Sequence, residues 1–441
     1  MSLNLKQPTQ FTVKSLFLIT KFGNIDIKGV YQELNLFDSM FMPCMKGNIL
    51  ILDSVGMAEK LFLDGSEYIK IEISKSDELS SSPLTFKKTF RVYKLSKRTS
   101  YNLNSELFVL DFISDEMIYS LQKKIKQSFV GEHSRIATTV MNQILQIEKP
   151  QRVDATKGIH TVIVPNLSPF DTMNWLTKRA VSKENLADFF FFENKYGYYF
   201  ASLSSLISEK PITDILFEPK NIASSKERDF YGARDVEAVR QFNLLENISN
   251  GVYSGTLITI DPLTRKKEYV KLNFGDIYGQ PQSHLNKNPN FVGGRNKIGL
   301  DASQMFDSKV SLYPTFTSRD SSDWIQTNDI QTGKIIDDTH TYVFQRAAII
   351  TNLLQTILHV NLPGDFGFTS GLTVNMKMPV RGIQDPDSDQ LDNTLNAKYI
   401  ITATRHIIKG DRHETVLELA TDSTNKPFYN IGPDPKFLGP F

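Results

Sequence analysis

Two stretches of the chain, one opening at Ile69 and the other at Val374, repeat a single design. In the first, Ile69, Ile71 and Ile73 alternate with Lys70, Glu72 and Ser74. A polar connection follows, then an apolar-alternating pair of segments from Phe90 to Asp115, FRVYKLSKRTSYNLNSELFVLDFISD. In the second, Val374, Met376 and Met378 alternate with Thr373, Asn375 and Lys377, and another polar connection leads to YIITATRHIIKGDRHETVLELATD, Tyr399 to Asp422. Each pair alternates, turns through a charged loop, alternates again and stops at Ser-Asp or Thr-Asp. Period two is what a half-buried antiparallel strand needs, because successive side chains point to opposite faces. The chain is therefore expected to hold two copies of one antiparallel β unit. Two such units per chain let a few subunits close a ring of twice as many near-equivalent positions, which points to assembly rather than catalysis.

Composition supports that direction by exclusion. At 441 residues the chain is long enough for two or three domains with cores of their own. Lys and Arg number 50 against 49 Asp and Glu. The basic excess that non-specific nucleic-acid binders use to displace counterions from phosphates is missing. The 30 Phe and 16 Tyr, against 2 Trp, suit a strand-rich protein with aromatic cores. Cys44 is the single cysteine, which excludes an intramolecular disulfide and a cysteine-based zinc site and fits a reducing compartment. The apolar run from Ser15 to Thr20 is too short and too closely flanked by polar residues for a signal peptide or a membrane span. The expectation is a soluble chain, not exported by the usual route, with Val13, Leu16 and Leu18 in an opening strand.

The pattern divides the chain into six stretches. Residues 1–115 are expected to form the first barrel, with a short helix over Val55 to Phe62 ended by Gly65. Residues 116–207 read as an α/β insertion. Ile136, Val140, Ile144 and Ile147 fall at helical spacing, and Ser168-Pro169-Phe170-Asp171 opens a second helix with a Ser cap, Pro in its first turn and an acidic residue beside it. A hairpin then runs from Phe189 to Glu193 and back from Tyr198 to Leu203. Residues 208–250 lead into the second barrel, with a strand expected from Ile212 to Glu218. Residues 251–339 combine a hairpin, Tyr253 to Ile260 with Tyr269 to Phe274, and a long polar loop from Gly279 to Thr339. Residues 340–425 form the second barrel, introduced by a helix predicted from Thr341 to Leu358 with Val343, Ala347, Ile350, Leu354 and Ile357 on one face. Residues 426–441 are a turn-rich tail.

Residues that could carry chemistry are few. His406 and His413 stand near Asp411 and Glu414, but HIIKGDRHE has no usual metal-ligand spacing, so a solvated turn is expected. His133, His160, His284, His340 and His359 are scattered. Gly293-Gly294-Arg295-Asn296-Lys297 lacks the Gly-Lys-Ser/Thr ending of a phosphate loop. Lys123 to Lys126 with Arg135, and Arg265 to Lys267, read as solvated basic spots. Asp385, Asp387 and Asp389 alternate as calcium ligands do, yet lie in a wholly polar run where a carboxyl keeps its ordinary acidity, unlike a hydrolase acid. Met173 and Trp175 read as core. No catalytic, cofactor-binding or metal residue is assigned, and no cofactor is expected.

The order of elements resembles a family: the baseplate central hub proteins of contractile-tailed bacteriophages, whose fold also opens the spike proteins of type VI secretion. The resemblance runs from about residue 10 to residue 424. It is carried by the YYFASL hairpin, GVYSGTLITIDPLTRKKEY, HVNLPGDFGFTSGLTVNMKMP and KYIITATRHIIKGDRHETVLEL in that order. It implies a mainly β fold with an α+β insertion, built on two tail-tube-like antiparallel β-barrels. It also implies a non-enzymatic structural role in the virion tail after assembly in the host bacterial cytoplasm. Three copies would give six near-equivalent barrels, joining a tail tube protein to a spike protein (which can carry a lysozyme), beside baseplate wedge or other hub proteins. Genomic DNA would pass the lumen without specific binding. Two other roles were open to such a chain. A receptor- or glycan-binding tail protein would use exposed aromatics, with Tyr196, Tyr198 and Tyr199 the clustered candidates. A cell-wall hydrolase would need a motif the sequence lacks.

Overall fold

The alternating segments are strands, and their alternation decides which side is buried. The computed structural model describes residues 11–75, 85–217, 232–241, 243–249, 254–260, 265, 267–273, 284–289, 309–314, 339–379, 392 and 394–425. Seven strands open the fold: β1 (Phe11–Thr20), β2 (Gly23–Asp26), β3 (Tyr31–Ser39), β4 (Lys46–Asp53), β5 (Tyr68–Lys75), β6 (Thr85–Asn102) and β7 (Ser105–Ile113). They pair antiparallel in the order β3-β4-β7-β6-β5-β1-β2. Leu16 and Leu18 of β1 share one core with Leu34 and Leu36 of β3, although the two strands stand far apart in that order. The sheet therefore curls over on itself, and Ile27, in the segment leading into β3, donates its N–H to the Leu16 carbonyl at 3.0 Å.

The insertion follows. Its strands are β8 (Ser128–Gly131), β9 (Gln151–Val153), β10 (His160–Ile163), β11 (Phe189–Asn194) and β12 (Gly197–Ser202). The helix Pro169–Thr177 is capped as its sequence predicts, with Ser168 Oγ accepting from the Asp171 N–H. β11 is buried along its whole length because both of its faces are covered. Phe189 and Phe191 enter the insertion core with Phe170, Met173 and Tyr198. Phe190 and Phe192 pack the other way, toward Leu203, Leu206 and Ile349. At the hairpin, Gly197 has φ +147° and a Cβ there would lie 2.1 Å from the Pro150 carbonyl oxygen, so the turn admits glycine alone.

The remaining strands are β13 (Asp214–Leu216), β14 (Asp235–Arg240), β15 (Ser254–Ile260), β16 (Lys267–Asn273), β17 (Asn288–Pro289), β18 (Lys309–Pro314), β19 (Thr356–Pro363), β20 (Thr373–Lys377), β21 (Lys398–Lys409), β22 (Arg412–Thr421) and β23 (Ser423–Thr424). β14-β19-β22-β21-β20-β13 repeats the order β3-β4-β7-β6-β5-β1 strand for strand. The core rows repeat as well: Ile49 of β4 faces Leu110 of β7, and Val360 of β19 faces Leu417 of β22, all fully buried. The closure repeats too, since Ala233, leading into β14, donates to the Leu216 carbonyl of β13 at 2.8 Å. One pairing differs, β13 running parallel to β20 where β1 runs antiparallel to β5. The fold is thus mainly β and antiparallel, with a duplicated barrel.

Two expectations change. The predicted helix to Leu358 is a helix only over Thr339–Leu353, and Thr356 begins β19. Leu358, Val360 and Leu362 are buried there at alternate positions between β14 and β22, and pairing on both edges outweighs the helical spacing of Leu354 and Ile357. The polar stretch 279–339 is not loop throughout. β18 lies parallel beside β15, and Leu285 and Asn286 are buried against the end of β22, with Leu285 and Asn286 N–H groups donating to Asp422 Oδ1 and Ser423 Oγ. Apart from residues 284–289, 309–314 and Thr339, that stretch lies outside the described residues.

Candidate assembly surface

β21 changes partner halfway along. Lys398 to Ile400 pair with β20 of the same barrel, and Ala403 to Ile408 pair with β3 of the other. The switch falls at Thr402, which stands out of register with β22 and whose carbonyl accepts from the Met40 N–H at 2.9 Å. A bulge bends a strand and increases its twist, which is what turning from one barrel to the next requires. The two barrels thereby become one sheet of 13 strands. Arg405 donates to Asn35 Oδ1 at 2.9 and 3.1 Å and lies over the Phe37 ring, and Lys409 Nζ stands 3.8 Å from Glu33.

The core side of this seam is apolar but contains two histidines. His406 and His413 are buried, with His413 Nε2 3.3 Å from His406 Nδ1 and Thr415 Oγ1 3.1 Å from the same nitrogen. The sequence placed both on one hairpin correctly; the solvated turn it implied holds for Gly410 and Asp411, not for the histidines. The face of β21 and β22 that carries them is covered by Phe366, whose ring lies 4.8 Å from His406 and 4.4 Å from His413. Burial pushes the His406 pKa down to about 4. A folded-state value below the ordinary 6.5 means that its stabilising effect is complete above pH 6.5 and is lost as pH falls toward 4. Asp38, whose carboxyl accepts from Thr369 and Ser370, is pushed up by burial to about 6 and acts in the opposite direction. The expected observation is therefore differential: wild type should lose about 2 kcal/mol relative to a His406→Gln variant between pH 6.5 and 4.5. Urea midpoints at the two pH values measure it, and a constant gap would refute it.

A second junction ties the insertion to the first barrel. Glu193, at the end of the four-phenylalanine run, is fully buried. Its carboxylate accepts from Lys88 Nζ of β6 at 3.0 Å, Lys149 Nζ at 2.9 Å and the Met45 N–H at 2.9 Å, and also from Ser114 Oγ. Lys149 also reaches Glu116 at 2.8 Å. Burial alone would raise the Glu193 pKa, but the two ammonium groups and the Ser114 hydroxyl outweigh it and hold it at about 2. A charged residue closing an otherwise apolar strand was the available sequence signal for this group.

The face of the sheet turned away from both cores is polar and of mixed sign. One row crosses six strands as Glu414, Ile407, Asn35, Asn48, Asp111 and Lys94, each opposite the next. Asn35 donates to Asn48 at 3.0 Å, Ser96 to Asp111 at 3.0 Å, and Arg234 to Glu414 at 2.9 Å. Anions and cations interleave, so no continuous basic track forms along this row.

The other candidates stay apart. Lys123, Lys124, Lys126, Arg135, Arg265 and Lys267 are exposed. Met173 is core, and Trp175 is half-buried beneath the Arg179 guanidinium at 4.0 Å. Of the three tyrosines a glycan platform would use, Tyr198 is fully buried in the insertion core and Tyr199 is stacked on Phe192, leaving only Tyr196 exposed. Gly293 to Lys297 and Asp385, Asp387 and Asp389 lie outside the described residues. Among the described residues, no group of three or more His, Cys, Asp or Glu side chains is arranged to hold a metal ion, and no helix is long and apolar enough to cross a membrane.

No protein-family model matches the sequence, and no curated protein sequence does. Solved structures do match. The 43 kDa tail protein of prophage MuSo2 from Shewanella oneidensis superposes with a TM-score of 0.53 at 9% identity, over 93% of this chain and 99% of that one. A tail protein from Neisseria meningitidis MC58 superposes with a TM-score of 0.51, also at 9% identity, over 94% of this chain and 97% of that one. The chain thus has the fold of phage tail proteins, along nearly its whole length, as the resemblance in its sequence implies.

Proposed function

We propose that the chain is a structural component of a phage tail baseplate. In this reading it is the hub: three copies close a ring of six near-equivalent barrels that joins the tail tube to the central spike and leaves a conduit for DNA. The observation that carries the reading is the seam between β3 and β21. A chain whose two barrels share strand order and core register, and are already joined edge to edge, contains one barrel-to-barrel joint of such a ring. The fold shared with the two tail proteins supports a tail role. The mixed-sign face of the sheet suits a passage that does not grip a polyanion, because a dense Lys/Arg lining would hold DNA by counterion release. The role is mechanical and needs no catalytic group. Its partners are a spike protein below, a tube protein above and neighbouring baseplate proteins.

The test is the solution mass of the purified chain, with negative-stain images of the same fraction. Three times 50.1 kDa and a ring with a central hole is the expected result. A chain that stays monomeric even with its spike protein present would overturn the reading.

A further inference from the structure

We infer that the chain carries both halves of a second barrel-to-barrel seam, the outer edge of β6 and the outer edge of β14, and that each is occupied by the other on a neighbouring copy of this chain. The inference rests on the ring reading and specifies its interface.

β6 repeats the behaviour of β21. β5 covers Thr85 to Arg91, as β20 covers the start of β21. A register shift at Tyr93 matches the one at Thr402. Beyond it β21 meets β3 of the other barrel, whereas β6 has no strand on that edge among the described residues. β14 is the counterpart of β3, beside β19 as β3 lies beside β4, and it too has no strand on its other edge among the described residues over Val236 to Val239. Val236 is buried like its counterpart Leu34, but where Leu36 is fully buried in the internal seam, Ala238 and Val239 are exposed, Val239 by 50%. An open strand edge is a template for pairing.

The register can be transferred. Ser96 and Thr99 face Val109 and Leu107 of β7 as Arg405 and Ile407 face Val416 and Glu414 of β22. Glu237 and Arg240 face His359 and Ile357 of β19 as Asn35 and Phe37 face Asn48 and Lys46 of β4. In the internal seam Arg405 faces Phe37 and Ile407 faces Asn35. The second seam therefore sets Ser96 opposite Arg240 and Thr99 opposite Glu237. Between these pairs the internal seam has one residue on each strand, His406 and Leu36. β6 has two, Lys97 and Arg98, and β14 has two, Ala238 and Val239. Each strand is bulged against its own neighbour by one residue, at the same place, so the two bulges match one another. Charge agrees as well: Arg405 and Lys409 meet Glu33 internally, and Lys97 and Arg98, the latter already paired with Glu59 and Glu106 of its own barrel, would stand beside Glu237. Joining unlike edges is a head-to-tail contact, which closes into a ring when the rotation allows.

Paired strands set opposite residues about 4.5–5.5 Å apart at Cα, within disulfide range. Cys44, the native cysteine, is buried and does not compete. Thr99→Cys and Glu237→Cys in one chain should oxidise to three linked chains on a non-reducing gel. A mixture of the two single variants should give linked pairs only, and each single variant alone none. Arg98→Cys with Ala238→Cys is a second pair in the same register, on exposed positions. If wild type is trimeric and neither pair links, the interface is wrong and the ring reading stands. If single variants link to themselves, the contact is isologous and the inference falls. If wild type stays monomeric with its spike present, both fall.

Discussion

Glu193→Ala should destabilise the protein by about 3–5 kcal/mol, because it leaves two buried or half-buried ammonium groups without their shared carboxylate. Lys88 Nζ would retain the Asn194 carbonyl at 2.6 Å and the Met45 sulfur, neither of which carries a compensating charge. Lys149 would retain Glu116 and partial contact with solvent, so Lys88 is the more costly of the two. Glu193→Gln keeps the volume and one acceptor and should fall between wild type and alanine. The sign of the pH effect follows from the depressed pKa. Glu193 contributes fully above its ordinary 4.5, and that contribution is lost as pH falls toward about 2. Wild type should therefore lose stability steeply below pH 4.5, and Glu193→Ala should lack that component. Urea midpoints across pH measure both effects. An unchanged midpoint at pH 7 would show that the network is neutral to stability.

Phe366→Ala is expected to cost about 3–5 kcal/mol, the range for emptying an aromatic site in a close-packed core. The residue comes from the connection between β19 and β20, yet its ring belongs to the core of the first barrel, 5.2 Å from Phe86 and 1% exposed. It also covers His406 and His413, so alanine would admit water to two buried imidazoles. The loss should be accompanied by uncoupling of the barrels. Pulse proteolysis should then show one barrel cleaved before the other in the variant, whereas wild type is cleaved as a unit. Phe366→Leu keeps most of the volume and should cost less than half as much. Equal loss for Leu and Ala would mean that ring stacking, not filled space, is what matters here.

Much of the fold was legible because strands with one buried face write their burial into the sequence. Ile69, Ile71 and Ile73 are fully buried while Lys70 and Glu72 between them are not, and Thr415, Leu417 and Leu419 alternate in the same way with Val416 and Glu418. The duplication could be read for the same reason. What misled was any segment whose burial came from a partner distant in sequence. The helix before β19 was extended too far because Leu354 and Ile357 fit a helical stripe as well as a strand. β14, DVEAVR, reads as polar because most of its side chains are exposed. His406 and His413 read as a solvated turn because Phe366, which covers them, lies about 40 residues away along the chain. The role of Glu193 leaves no local pattern because Lys88 and Ser114 reach it from distant parts of the chain.

By itself the sequence determined the strands that have one buried face and regular alternation, and that one unit occurs twice, since period-two alternation needs nothing beyond the strand's own geometry. It also determined the capped helix and the Gly197 hairpin, whose chemistry is local. Only the tertiary structure decided that the two units share an edge through β3 and β21 and that the insertion is tied to the first barrel through one buried carboxylate. Those features depend on backbone groups and on pairs far apart along the chain. Every residue offers the same N–H and C=O, so composition and periodicity leave no trace of which edge meets which.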